Sequence, residues 1–335
     1  MYLRNMDILS QLSGTWSILK IAGYYLLLYW WVYLPFVLVF GTLELYKTYT
    51  RTKYFLTLKW VLLEIKPPPD VQKSPKIAES IFAGLHGTYG SGTGGKEMFF
   101  EGKVPDWFSF EIIGDNGDMK FYIRAPEKYR NLIEVAIFSQ YPDAEISLAS
   151  DYIDQLPVRL PNDEYDLFGT DLIFSKEDAY PIKTYPSFEE ESGKDEFVRS
   201  DPLAPLAEIM SALGPGEHIW LQLLIRPTGG DWVKEAQKVI DKMLGKEPPA
   251  PGRGGLGRAV DFIDSLVTTP GEAVPEKKEK ADANPAKLTP GQKFVLEQIE
   301  NKTSKLAFKA GYRFLYVARK DAFNASRTPT VIGMF

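Results

Sequence analysis

The sequence predicts an α+β protein: an N-terminal transmembrane helix followed by two ferredoxin-like (βαββαβ) units, the second interrupted by a flexible insertion and incomplete at its C-terminus. Three observations predict it. No charged residue occurs from Ile21 to Leu43. Strand-like and helix-periodic segments then follow in the order βαββαβ up to Leu148, and part of that order recurs afterwards. Between the two later helices, residues 245–288 are crowded with Pro, Gly, Ala, Lys and Glu, the composition of a flexible excursion. The expected boundaries are 1–53 for the anchoring segment, 54–150 for the first unit and 151–335 for the second.

The uncharged run is long enough as a helix, roughly 34 Å, to cross a hydrocarbon core of about 30 Å. The anchor is placed at about 18–43, with Ile21, Tyr24, Leu27, Trp30, Trp31, Leu34, Pro35, Phe36, Leu38 and Phe40 as its residues and a kink at Pro35. It exceeds the usual signal-peptide core, and no small-residue cleavage site follows. Lys47, Arg51, Lys53 and Lys59 come after it, against Arg4 and Lys20 before. The positive-inside bias then predicts a single-pass protein of the cell inner membrane with its soluble region cytoplasmic.

In the first unit, Thr57 to Ile65 is β-rich and apolar and ends at three prolines, which cannot continue a ladder. Ser74-Pro75 starts a helix with Ile77, Ile81 and Leu85 on one stripe and Gly87 at its end. Trp107 to Ile113 and Met119 to Arg124 alternate about Gly114-Asp115-Asn116-Gly117, a hairpin signal with Phe108, Phe110, Ile112, Phe121 and Ile123 facing the core. A helix opens at Pro126, with Tyr129, Leu132, Ile133, Ala136 and Ile137 inward, and Ala144 to Leu148 adds a last strand.

The second unit is expected to have extended segments at Asp171 to Phe174 and Tyr180 to Tyr185. An acidic surface loop from Glu189 to Glu196 leads to a helix capped by Asp201-Pro202, and His218 to Arg226 forms a buried strand. A helix from Asp231 to Leu244 precedes the insertion, within which only Arg258 to Val267 is helix-like. Thr289-Pro290 and Gln292 form a capping box for a helix to about Lys305. Phe308 to Ala318 reads as a strand, and the final strand of the unit is missing.

Composition excludes much chemistry. The 335 residues are 44% hydrophobic and 25% charged, with no cysteine and two histidines. Disulfides, thiolate nucleophiles and sulfur-based zinc sites are therefore ruled out. The net charge is −5, with residues 1–53 at +3, so nothing marks a general binder of nucleic acid. Gly90 to Lys96 matches G-x-x-x-x-G-K, with Gly90, Gly95 and Lys96 as the candidate nucleotide-binding residues. Glu97 stands where a metal-binding Ser or Thr belongs, and the loop is read as joining a helix to a strand, so a glycine-rich connection is the better reading. His86 at a helix end and His218 at a strand start read as structural. Asp151/Asp154 and Asp163/Glu164 lie in turn-like sequence and define no acid–base pair. The hairpin aromatics lack an RNA-recognition signature and read as core. No catalytic residue, metal or cofactor is expected.

Four stretches carry a resemblance: VLLEIKPPPDVQKSPKIAESIFAGLHG (61–87), FEIIGDNGDMKFYIRAPEKYRNLIEVAIFSQYPDAEI (110–146), DPLAPLAEIMSALGPGEHIWLQLLIRP (201–227) and LTPGQKFVLEQIENKTSKLAFKAGYRFLYVAR (288–319). Together they resemble the membrane-anchored N-terminal region of bacterial conjugation and type IV secretion ATPases of candidate-phylum bacteria, without the motor domain. The resemblance implies an anchoring and assembly module rather than an enzyme, with the motor downstream or on a partner. Its implied partners are the membrane, further copies of itself as a homo-oligomer, and type IV secretion or motor ATPase components. The alternative is a nucleic-acid-contacting domain of a coupling protein, which the charge does not favour, and a nucleotide-binding role for the 90–96 loop ranks below that.

Overall fold

The computed structural model describes residues 24–25, 27–68, 76–90, 94–185, 203–245 and 288–334. The chain divides into two units, residues 1–58 with 90–105, and residues 59–89 with 106–335. The expected acidic loop, the Asp201-Pro202 cap, Arg258 to Val267 and nearly all of the insertion lie outside the described residues.

The first unit is built on helix α1, Trp30–Thr57. The uncharged run is not one continuous helix, because the chain bends at Tyr29 (φ −103°, ψ 18°) before α1 begins. From Trp30 to Leu43 the uncharged part of α1 rises only about 20 Å, short of a hydrocarbon core of about 30 Å. Glu44, Lys47, Arg51 and Lys53 occupy its second half. Among the described residues no helix is long and apolar enough to cross a membrane. The expected transmembrane anchor, and the single-pass inner-membrane location built on it, are corrected accordingly. Of the anchor residues, Ile21 lies outside the described residues and Tyr24 and Leu27 precede the bend. Trp30, Trp31, Leu34, Pro35, Phe36, Leu38 and Phe40 all lie exposed on α1.

A short helix, Gly95–Phe100, completes this unit. It is α3 in chain order, α2 belonging to the second unit. Phe99 meets Tyr46 of α1 with ring centroids 5.7 Å apart. Gly102, at φ +67°, lies so close to Thr50 that a Cβ there would stand 2.3 Å from its carbonyl carbon.

The second unit holds α2 (Ile77–His86), α4 (Arg130–Phe138), α5 (Ala204–Ser211), α6 (Asp231–Met243), α7 (Pro290–Thr303) and α8 (Arg327–Ile332). Its strands are β1 (Trp60–Lys66), β2 (Phe108–Asp115), β3 (Asp118–Pro126), β4 (Glu145–Leu148), β5 (Tyr165–Leu172), β6 (Glu217–Thr228) and β7 (Ala307–Arg319). They form one antiparallel sheet in the order β4-β1-β3-β2-β6-β7-β5. The expected fold class, two ferredoxin-like units after a transmembrane helix, is thereby corrected. All of β2 pairs with β6, so what the sequence divides into two units shares a single sheet. The physical reason lies in β2, whose apolar residues are buried or half-buried and whose second edge would otherwise expose a row of unpaired amides.

Local chemistry explains the elements. The β2–β3 hairpin turns on Asn116 and Gly117, at φ 51° and 89°, the pair of left-handed residues that a tight hairpin needs. The expected capping box of α7 is present, Thr289 Oγ1 accepting from the Gln292 N–H while Gln292 accepts from the Thr289 N–H. β1 starts at Trp60 rather than Thr57 because α1 continues to Thr57. Tyr180 to Tyr185 forms no strand. Instead Ala179 and Tyr180 pack against α6 and α7 beside Ala236, Val239, Ile240 and Ile299.

One face of the sheet is covered by helices. Leu85 of α2 and Ile133 and Ile137 of α4 bury Leu63, Ile123, Ala125, Phe108 and Ile225. Leu206 and Met210 of α5 and Val331 of α8 bury Ile219, Leu221, Phe314 and Tyr316. On the opposite face, Tyr152 and Leu156 cover Leu62, Ile113, Tyr122, Trp220 and Val317.

Candidate functional site

Period-two alternation sends Glu111, Tyr122, Arg124 and Gln222 to the face opposite the helices. There they meet Asp151 and Tyr152, which begin a short 3₁₀ turn, Tyr152–Gln155. Among the described residues Glu111 is the most deeply placed carboxylate, its side chain 1% exposed. Arg124 Nε donates to Glu111 Oε1 at 3.3 Å, and Tyr152 Oη donates to Glu111 Oε2 at 2.8 Å. The rest of the guanidinium grips Asp151 with both ends, Nη1 to Oδ2 at 2.7 Å and Nη2 to Oδ1 at 3.0 Å. Gln222 Nε2 donates to Tyr152 Oη at 2.7 Å.

Burial opposes the charge on Arg124, but the hydrogen bond to Asp151 and the charge of Glu111 outweigh it and raise the guanidinium's pKa. The hydrogen bond from Arg124 holds Asp151 below the usual carboxylate range, against a smaller effect of burial. Burial first, and then the neighbouring Glu111 charge, push the Tyr152 phenol up. The single guanidinium of Arg124 thus bridges two carboxylates, Glu111 and Asp151, and the arrangement clamps the 149–160 segment onto the sheet.

A second clamp sits on the helix-covered face. Glu217 Oε1 accepts from Tyr316 Oη at 2.7 Å, and Oε2 accepts from the Gly214 N–H at 2.8 Å. Arg327, just inside α8, reaches both oxygens at 3.4 Å and also donates to the Ala212 carbonyl. Burial would raise the Glu217 pKa, but the Gly214 amide, the Tyr316 hydroxyl and Arg327 together lower it. The Tyr316 phenol is pushed up to about 12, chiefly by burial.

The residues singled out in the sequence are scattered. Gly90 ends a turn after α2, while Gly95 and Lys96 lie in the first turn of α3, with Lys96 exposed. The loop therefore leads into a helix and not a strand. Glu97 Oε2 faces Lys103 Nζ at 3.7 Å. His86 Nε2 lies 3.2 Å from the Thr228 carbonyl, its ring edge-on to Phe308, and His218 Nδ1 lies 3.0 Å from Asp115 Oδ1. Asp151 enters the clamp without Asp154, and the Asp163/Glu164 pair joins neither. Phe108 and Ile123 are core. Sequence reasoning missed Glu111, Arg124, Gln222 and Glu217. Charged residues within otherwise apolar strands were the available signal, since such groups are rarely buried unless paired.

Fold and clamps define an α+β protein organised around one antiparallel sheet whose buried charges serve its own architecture. The chain belongs to the family described as Domain of unknown function (DUF8128), which matches residues 44–335. No curated protein and no solved structure matches it.

Proposed function

We propose that this chain is a non-catalytic assembly and docking module of a type IV secretion or conjugation-type machine, and that it joins copies of itself through its sheet edge. The resemblance of its four stretches to the N-terminal regions of secretion ATPases supports the setting. One structural observation carries the docking role. Among the described residues β5 ends the sheet and pairs only with β7. Asn162 N–H donates to the Tyr165 carbonyl and Tyr165 N–H to Asn162 Oδ1, so the odd-numbered backbone groups of β5 point away from β7. Gly169 stands in the middle of that edge, its outward N–H and C=O without a partner among the described residues.

A second copy fits this edge by symmetry. A two-fold axis at Gly169 sets Leu167 opposite Asp171 of the other copy, where the Leu167 N–H would exchange its bond to Asp166 Oδ1, 2.9 Å long, for one across the axis. Nothing but hydrogen stands at the central position. The test is the oligomeric state of the full chain by sedimentation velocity. Wild type should self-associate, and Gly169→Pro, which removes the central donor, should be monomeric with an unchanged far-ultraviolet spectrum. Association unaffected by Gly169→Pro refutes the edge. ATP hydrolysis that disappears in Lys96→Ala refutes the non-catalytic reading.

A further inference from the structure

Strand register places an unusual row of side chains across the face of the second unit's sheet turned away from its helices. Trp60 pairs with Pro126 and Arg226 with Lys309. Ser109 pairs with both Arg124 and Leu224, so Trp107, two residues earlier, stands in line with Pro126 and Arg226. The row reads Trp60, Pro126, Trp107, Arg226, Lys309 across β1, β3, the residue just before β2, β6 and β7, a span of about 19 Å at the usual strand spacing. The two indoles are in contact, with ring centroids 4.4 Å apart. Arg226 is half-buried and Lys309 exposed.

Arg226 and Lys309 are like charges directly opposite each other, an arrangement that destabilises a sheet. Neither makes an ion pair or side-chain hydrogen bond with another described residue. The neighbouring carboxylates do not neutralise them. Asp106 is held by Lys128 and Tyr129, and Asp151 by Arg124. Glu64, Glu111 and Asp171 all stand four residues further along the strands, about 13 Å away. Of these, Glu111 is held by Arg124 and Asp171 by Arg313. A chain of net charge −5 thus keeps side by side two cations with no acidic partner among the described residues, next to two aromatic rings.

We propose that this row binds a single nucleic-acid strand, with Arg226 and Lys309 on successive phosphates and the indoles of Trp60 and Trp107 against its bases. Cations beside aromatic rings on an open sheet form the combination by which proteins hold single strands without reading sequence. A membrane surface calls for clusters of about four to eight cations, and two do not supply them. This inference does not depend on the docking role of β5.

The test is fluorescence anisotropy of a labelled oligothymidylate titrated with the full chain over a range of salt concentrations. Binding should weaken steeply with salt. Arg226→Gln and Lys309→Gln should each lower the slope of log K against log salt by about 0.7, the value for one phosphate contact on a single strand. Arg226→Lys should keep the slope, as should Lys293→Gln on α7. Trp107→Leu should weaken binding and leave the slope unchanged. The proposal is overturned by absence of binding at low salt, or by a slope that Arg226→Gln/Lys309→Gln leaves intact in a variant whose melting matches wild type. Binding to phosphatidylglycerol vesicles or to duplex DNA in place of the single strand, lost in the same double variant, also overturns it.

Discussion

Replacing Arg124 with methionine isolates the energetics of the sheet clamp. Glu111 is 1% exposed and, among the described residues, accepts hydrogen bonds only from Arg124 and Tyr152. Without the guanidinium its charge stays buried with one neutral donor, whereas Asp151, at 30% exposure, can regain water. Removing one partner of a buried ion pair costs about 3–5 kcal/mol, and the solvent access of Asp151 places the expected loss near the lower end, about 3 kcal/mol. Against a domain stability of about 5–15 kcal/mol that is a substantial fraction. Urea unfolding, followed by far-ultraviolet dichroism and by tryptophan fluorescence, reads it directly. Trp220 is a local reporter because it meets the Tyr152 ring edge-on, with centroids 4.9 Å apart. With a urea dependence of about 3 kcal/mol per molar, the midpoint should fall by about 1 M. Glu111→Gln in the same background should recover most of the loss, giving a coupling of about 1–3 kcal/mol. A loss below about 1 kcal/mol, or strict additivity of the two substitutions, would refute the view that Arg124 is there to compensate Glu111.

Further expectations follow from the same contacts. Asp151 and Glu217 both have lowered pKa values when folded, so unfolded chains take up these protons first as pH falls. Stability from both groups is therefore complete above their unfolded values, about 3.9 and 4.3, and is lost as pH drops through the lower folded ones. Asp151→Asn should reduce stability at neutral pH and flatten the acid limb of a urea-midpoint profile. Tyr316→Phe removes the bonds to Glu217 and to the Asn324 N–H and should cost about 1–3 kcal/mol, with hydrogen exchange accelerating first in α8. Gly102→Ala should destabilise the first unit by about 1–3 kcal/mol, because a Cβ meets the Thr50 backbone. Gly229→Ala, whose Cβ meets first the hydroxyl end of the exposed Tyr89 side chain, which can swing aside, should melt close to wild type.

Local signals in the sequence carried six of the seven strands, the hairpin turn and the α7 capping box, because each depends on residues a few positions apart, whereas β5 lies at Tyr165–Leu172 instead of at 171–174 and 180–185. Asn116-Gly117 can adopt its paired left-handed angles whatever the rest of the chain does, and Thr289 reaches Gln292 within one helical turn. The pairing of β2 with β6 had no such local signal. Phe108 to Asp115 and Glu217 to Thr228 alternate as strands should, yet alternation tells only which face is buried and leaves open which edges meet. The long N-terminal span failed for a different reason. Absence of charge from Ile21 to Leu43 implies one long helix only where the backbone is unbroken, and continuity at Tyr29 is not encoded in hydropathy. The clamps were invisible for want of register. Glu111 and Arg124 are brought together by the hairpin, and Asp151 reaches them from a loop beyond β4.

Register also separates the charges that hold the sheet from those left free. Along the exposed face, Glu111 has an arginine within reach because Ser109 pairs with Arg124, and Asp171 has one because it pairs with Arg313. A strand shifted by two residues would keep every side chain on its face and destroy both compensations. The same register that satisfies those carboxylates sets Arg226 against Lys309 with no acid in their row. A fold selected for stability alone has an easy remedy, since a threonine or glutamate at either position removes the repulsion at no cost to the core. Retaining both cations is therefore a cost to the free chain that an anionic ligand offsets, and it predicts that Lys309→Glu raises the melting temperature while abolishing single-strand binding.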